Sequence, residues 1–167
     1  MAVAPGEVVG GWEVVAARGH ADGQLMLLRD GVLIAADHVL ERITPAVGLW
    51  PESRPDPLGD YLESLARTSE LELRVAYGGH REPLDDPTTR AREIVAHHRE
   101  RLEATAAALS SQPLTGFDVS FALFGIDLKP AARRFAITET LSHLERLVLE
   151  GGARRRVDVG VVSYTSV

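Results

Sequence analysis

The chain has 167 residues, 45% of them hydrophobic and 25% charged, with a formal net charge of −6 and no cysteine. That composition is ordinary for a globular protein, and the missing cysteines exclude disulfides and thiolate metal sites. The acidic balance disfavours nucleic acid or an anionic membrane as a whole-molecule partner. The apolar runs are far too short for a membrane span and Met1 to Gly6 does not read as a signal peptide, so the expected location is the cytosol.

From Glu7 to Ala17, Val8, Val9, Trp12, Val14 and Val15 surround a Gly10-Gly11 turn and predict a strand pair. Two further apolar runs, Leu25 to Leu28 and Val32 to Ala35, are joined by Asp30-Gly31, a pair suited to a tight hairpin turn. Thr44 to Leu58 holds Pro45, Gly48, Pro51, Pro55 and Pro57 and reads as a loop. Leu58, Leu62 and Leu65 recur at helical spacing, predicting a short helix over Gly59 to Thr68. Leu71, Leu73 and Val75 alternate as in a strand over Leu71 to Ala76, and Asp86-Pro87 opens a long helix to about Ser110.

Beyond Gln112-Pro113 a helix is expected over Gly116 to Phe124 and a longer one over Ala131 to Leu149. In the longer one Ile137, Leu141, Leu144 and Val148 repeat at four, three and four, flanked by Phe135 and Leu147. Gly151-Gly152 stops that helix. Ala153 to Val157 and Val161 to Tyr164 then predict a closing hairpin. The expected division is residues 1–112, including a linker helix 87–111, and residues 113–167, where helix, helix and hairpin follow the order of a winged helix.

His20 and Asp37 fall at strand ends, with the hairpin between them, and His80 follows another apolar run and Gly78-Gly79. Neutral imidazole and carboxylate are good ligands for zinc, iron or manganese, so His20, Asp37 and His80 form a candidate metal set. His38 is expected to point to the opposite face if its strand continues. The adjacent His97 and His98 lie about 100° apart on a helix, cannot easily serve one ion, and are read as solvent or interdomain residues. Arg133, Arg134, Arg146 and Arg154 to Arg156 make the C-terminal region locally basic, but Glu139, Glu145 and Glu150 share its long helix. Thr138, Ser142 and His143 are the polar residues there that could read bases, and nucleic-acid binding is not favoured.

Gly19-His20, Ala36 to Leu40, Arg42 to Pro45 and Gly79-His80 resemble the third, fourth and fifth metal motifs of the metallo-β-lactamase superfamily, and the nearest likeness is to the branch with a C-terminal winged helix. The resemblance implies an α+β chain: part of an αββα sandwich followed by a winged-helix-like domain. It also implies that His20 binds a first metal, Asp37 bridges two, and His80 binds the second. The loop with Trp50 runs beside the active site in that family, so Trp50 either lines a substrate pocket or anchors its loop. The family's HxHxDH motif does not occur here. Ala17-Arg18 stands where Thr-Pro is usual, Gln24 where a second His is common, and Ala36 where Gly is usual.

Two functions follow from this reading. One is a metal-dependent hydrolase of esters, thioesters or phosphodiesters that is incomplete in this chain alone. The other is a non-catalytic interaction or assembly module derived from such an enzyme. A single sheet leaves an apolar face open, which predicts a homo-oligomer or a second chain that completes the sandwich.

Overall fold

A computed structural model describes residues 2–167. The chain divides into two compact units, Met1–Pro45 with Gly59–Ala96 and Ala46–Leu58 with His97–Val167. Against the expected division after residue 112, the loop before residue 59 and the second half of a long helix belong with the C-terminal unit. Hydrogen bonds internal to that unit, from Leu49 N to Thr138 O and between His98 and His143, account for the grouping.

The first unit is built on a sheet of β1 (Val8–Val9), β2 (Trp12–Ala16), β3 (Leu25–Arg29), β4 (Val32–Ala36) and β5 (Val75–Gly78), hydrogen-bonded in that order. All neighbours are antiparallel except β4 and β5, which are parallel. The hairpin at Asp30-Gly31 forms with φ of 47° and 72°, the left-handed pair that matches strand twist. Side chains alternate between faces, and one face gathers Met26, Leu33, Ala35 and Ala76 with Ala17 into a buried core. On the other face the register lines up Val14, Leu27, Ile34 and Tyr77 across four strands. Val14 is buried, but Ile34 and Tyr77 are 42% and 48% exposed.

The strand expected over Leu71 to Ala76 forms later, at Val75–Gly78. Arg74 N and Val75 N both donate to Gly31 O, and Leu73 N donates to Leu71 O, so the preceding residues turn instead of pairing. Their alternation is the same as a strand's because Leu73 still packs against the core. Between β4 and β5, α1 (Pro57–Glu70) buries Tyr61, Ser64, Leu65 and Thr68 at helical spacing. The Tyr61 hydroxyl donates to His38 O at 2.7 Å. Gly19, at φ +120°, lies so near that a Cβ there would stand 2.2 Å from Tyr61 Cβ. Glycine is therefore required, and its close approach fixes the chain just before His20.

The long helix α2 (Pro87–Ala107) starts in the first unit and ends in the second, where α3 (Gly116–Phe124), α4 (Pro130–Leu149), β6 (Ala153–Asp158) and β7 (Val161–Ser166) follow. Thr115 caps α3 through a reciprocal pair with Asp118, and Pro130 opens α4. The buried stripe of α4 keeps Leu144 and Leu147 of the aliphatic one expected but not the rest of it. Arg133, Ala136, Thr140, His143, Leu144 and Leu147 are buried, while Ile137, Leu141 and Val148 are half-buried and Phe135 is exposed. Most of the polar groups buried along α4 have a partner inside the unit, although Ser142 Oγ has none among the described residues. Arg133 donates to Ser120 O and to Gly125 O and lies 4.1 Å over the Phe121 ring, and Thr140 donates to Ala136 O.

His98 is likewise buried, in place of the solvent or interdomain position expected, and its Nδ1 lies 3.2 Å from His143 Nε2. His143 Nδ1 lies 2.8 Å from Glu139 O, a group that only accepts. The proton positions follow: His143 donates from Nδ1, so its Nε2 accepts from His98. Ser142 is buried with His143, so neither reaches the surface to read bases.

Burial also disfavours the charged forms of His38, His98 and His143, lowering their pKa values to about 4, about 3 and about 4 from 6.5. The unfolded chain therefore takes up more protons than the folded one as pH falls below 6.5. Stability is full above that pH and is lost progressively down to about 3. Urea midpoints measured at successive pH values should fall across this window, and a flat profile would contradict the burial of the three rings.

Candidate metal centre

Strand direction decides which residues meet. Since β3 runs antiparallel between β2 and β4, and β5 runs parallel to β4, the C-terminal ends of β2, β4 and β5 share one end of the sheet. His20 follows β2, Asp37 follows β4 and His80 follows β5. All three expected ligands are thus delivered to the same edge.

Asp37 is aimed by a local irregularity. The β4 register shifts between Ile34 and Ala36, Ala36 takes φ of 46°, and His38 N closes a turn onto Ala35 O at 3.0 Å. A left-handed alanine costs about 1–2 kcal/mol, which explains in physical terms why glycine suits this position. The turn puts Asp37 beyond the strand end, and Gly79 N donates to Ala36 O at 2.8 Å, drawing the β5 end across it.

His20 Nε2 lies 3.8 Å and His80 Nε2 3.5 Å from the same oxygen, Asp37 Oδ2. Two ligands of one ion, each bonded at about 2.1 Å at a tetrahedral angle, stand about 3.4 Å apart. The His80 pair at 3.5 Å stands close to that spacing, and the His20 pair at 3.8 Å lies somewhat beyond it. The other carboxylate oxygen, Oδ1, is buried without a hydrogen-bond donor among the described residues. A carboxylate so placed gains from a cation beside it. Number is where the set falls short: among the described residues no group of three or more His, Asp or Glu is disposed around a single ion. Asp37 is shared between two pairs, and a catalytic zinc takes three protein ligands. The residues fit a metal in kind, and nearly in spacing, as part of a ligand set.

His38 takes no part. The strand ends at Ala36, and the buried His38 ring turns to α1, its Nε2 2.9 Å from Thr68 Oγ1. Thr68 donates its own proton to Ser64 O, so His38 must donate to Thr68.

Trp50 belongs to the second unit. Its loop is tied down by Leu49 N donating to Thr138 O at 2.9 Å and by Trp50 N donating to Ser53 Oγ at 3.0 Å. The indole packs edge-to-face on Phe135 and lines an open groove of about 440 Å³ with Leu49, Pro51, Ser53, Thr138 and Leu141. Anchor and groove wall are both descriptions of Trp50 within its own unit.

Sequence reasoning placed Gly79 in a motif with His80 but missed its contact with Asp37. A Cβ there would stand 2.5 Å from Asp37 Oδ1, so the glycine is the floor against which the carboxylate rests. Its signal was present in the Gly78-Gly79 pair before His80, since paired glycines often mark close backbone approach.

Known proteins place the chain. Residues 102–167 match the family described as metallo-beta-lactamase-like, C-terminal domain. The probable metallo-hydrolase YqjP of Bacillus subtilis (strain 168) is 29% identical over 153 residues, 84% of this chain and 46% of that protein. The crystal structure of a metallo-beta-lactamase family protein from Thermus thermophilus is 41% identical with a TM-score of 0.88, covering 99% of this chain and 54% of that one. A beta-lactamase domain protein from Burkholderia ambifaria is 32% identical with a TM-score of 0.90, covering 99% and 52%. Residues 102–167 match that C-terminal domain, and over nearly its whole length the chain is similar to a metallo-beta-lactamase family protein. It spans about half the length of these relatives.

The Gly79 floor yields a prediction. Gly79→Ala should swing Asp37 aside, which changes the ring resonances of His20 and His80 in the NMR spectrum. Because the clash falls on a side-chain end, the urea midpoint should move little, by less than about 1 kcal/mol in stability. Unchanged His20 and His80 resonances in a folded Gly79→Ala protein would contradict the packing.

Proposed function

We propose that His20, Asp37 and His80 form one side of the metal centre of a metallo-β-lactamase-fold hydrolase acting on an ester, thioester or phosphodiester. The observation that carries this reading is the convergence of both imidazoles on one carboxylate oxygen close to metal-donor spacing. Zinc is the metal that this nitrogen and oxygen set suits first, with iron or manganese as the other choices. Such a metal lowers the pKa of a bound water to about 7, which supplies a nucleophile at neutral pH. Asp37 would hold the shared position, with Gly79 fixing its rotamer, and His20 and His80 would hold the flanking ones. Each imidazole binds through its lone pair and must be neutral to do so.

The pairs supply too few ligands to close a site, so hydrolysis requires donors from outside the residues of this chain. The same conclusion applies to the sheet. Its row of Leu27, Ile34 and Tyr77 is the face of a sandwich layer, and a second sheet from another segment, another chain or a second copy would cover it. An assembly role for this chain, with the α3, α4, β6 and β7 region as a winged-helix-like module, rests on that half-exposed row.

The test is a fusion of this chain to the part of the Thermus thermophilus protein that it does not span. Loaded with zinc, the fusion should hydrolyse an aryl ester, a thioester or bis(p-nitrophenyl) phosphate, and Asp37→Ala should lower the rate by about 100-fold or more. A folded, zinc-loaded fusion with no hydrolysis, or one indifferent to Asp37→Ala, would sink the hydrolase reading.

A further inference from the structure

The groove at Trp50 contains polar capacity that the fold does not use. Its wall is mainly apolar, formed by Leu49, Trp50, Pro51 and Leu141, and Phe135 beside it is 55% exposed although it is a large aromatic on a helix. Two donors stand on this surface. Arg134 places its guanidinium 5.1 Å from the Trp50 ring and, among the described residues, makes no ion pair or hydrogen bond. Ser53 accepts from Trp50 N, and its hydroxyl proton has no acceptor among the described residues. The remaining polar neighbour, Thr138, spends its proton on Phe135 O.

The contrast with the other arginines of this unit is sharp. Arg133 is buried with carbonyl acceptors, Arg146 binds Asp56 and Glu150, and Arg155 binds Glu145. Arg134 alone among these four stacks on an aromatic ring with its hydrogen-bonding edge unspent. A guanidinium held on an indole face is oriented while keeping its donors for a carboxylate.

The groove is also preformed. Its loop is hydrogen-bonded to the backbone of α4, and Gly48 makes the approach possible, since a Cβ there would stand 2.7 Å from Thr138 Oγ1 and 2.9 Å from Trp50 Nε1. A volume of about 440 Å³ lies in the range of small-molecule sites, which are mostly apolar with a few fixed polar groups. We infer that the Trp50 groove binds an aromatic carboxylate, its ring against Trp50, Phe135 and Leu141 and its charge toward Arg134 and Ser53. Aromatic rings favour the edge-to-face and offset contacts that Trp50 and Phe135 offer, and the cation at the rim complements the anion. The inference goes beyond the hydrolase reading and does not rest on it, because every residue in it lies in the second unit.

Calorimetric titration of the full chain with 2-naphthoate tests it. Saturable binding is expected, weakened about tenfold or more by Arg134→Gln and by Trp50→Ala. Arg134→Gln keeps the fold because this side chain is exposed and makes no hydrogen bond among the described residues, and circular dichroism checks this. The neutral analogue naphthalene-2-methanol and the non-aromatic octanoate should each bind more weakly than 2-naphthoate. Binding should persist in excess chelator and in His80→Ala, which separates this site from the metal centre. No saturable binding, equal affinity for either analogue, an unchanged affinity in Arg134→Gln, or loss of binding in His80→Ala would overturn the inference.

Discussion

The parallel pairing of β4 with β5 is the constraint on which the candidate centre depends. Val32, Leu33 and Ile34 pair with Val75, Ala76 and Tyr77, and Ala36 with Gly78, so the two strands end side by side. An antiparallel β5 would have carried His80 to the opposite end of the sheet, well out of reach of Asp37 at about 3.3 Å per residue. Parallel strands require a crossover, and here the loop after residue 36 and α1 provide it. The same crossover brings Tyr61 onto His38 O and against Gly19. One helix therefore anchors the segments before His20 and after Asp37 together.

The two units solve different packing problems. In the first, burial is aliphatic around Leu33 and Ala76, and the buried His38 and Thr68 share one hydrogen bond, with His38 Nδ1 left without a partner among the described residues. In the second, α4 buries Arg133, Thr140 and His143, each held by a hydrogen bond. Removing one partner from such a network costs more than the bond itself contributed, because the other is left buried and bare. Near-neutral pH suits both arrangements, since burial favours the uncharged forms of His38, His98 and His143.

Much of this was legible from residue order. Asp30-Gly31 announced its hairpin, and Gly116 to Phe124 matches its helix, because turn glycines and apolar spacing are local signals. His20, Asp37 and His80 could be singled out by residue type and motif, and the structure brings all three to one sheet end. Other features depended on partners remote in sequence. Nothing near His98 indicates that His143, 45 residues away, will bury it. The apolar periodicity of α4 pointed to Ile137, Leu141, Leu144 and Val148; Leu144 is buried, but polar groups take much of the stripe because Ser120, Gly125 and His98 offer them partners. Leu71 and Leu73 alternated like a strand although hydrogen bonds to Gly31 and Leu71 turned that stretch. Gly79 was visible as a glycine, and its role became specific only once Asp37 lay against it.

The central claim is that one carboxylate joins two imidazoles into donor pairs for a metal. Zinc titration of the chain, followed through the ring resonances of every histidine, addresses it directly. The account predicts that His20 and His80 respond together, that Asp37→Ala abolishes both responses, and that the buried His38, His98 and His143 remain unchanged. A zinc response confined to other histidines, or one at His20 and His80 that survives Asp37→Ala, would contradict it.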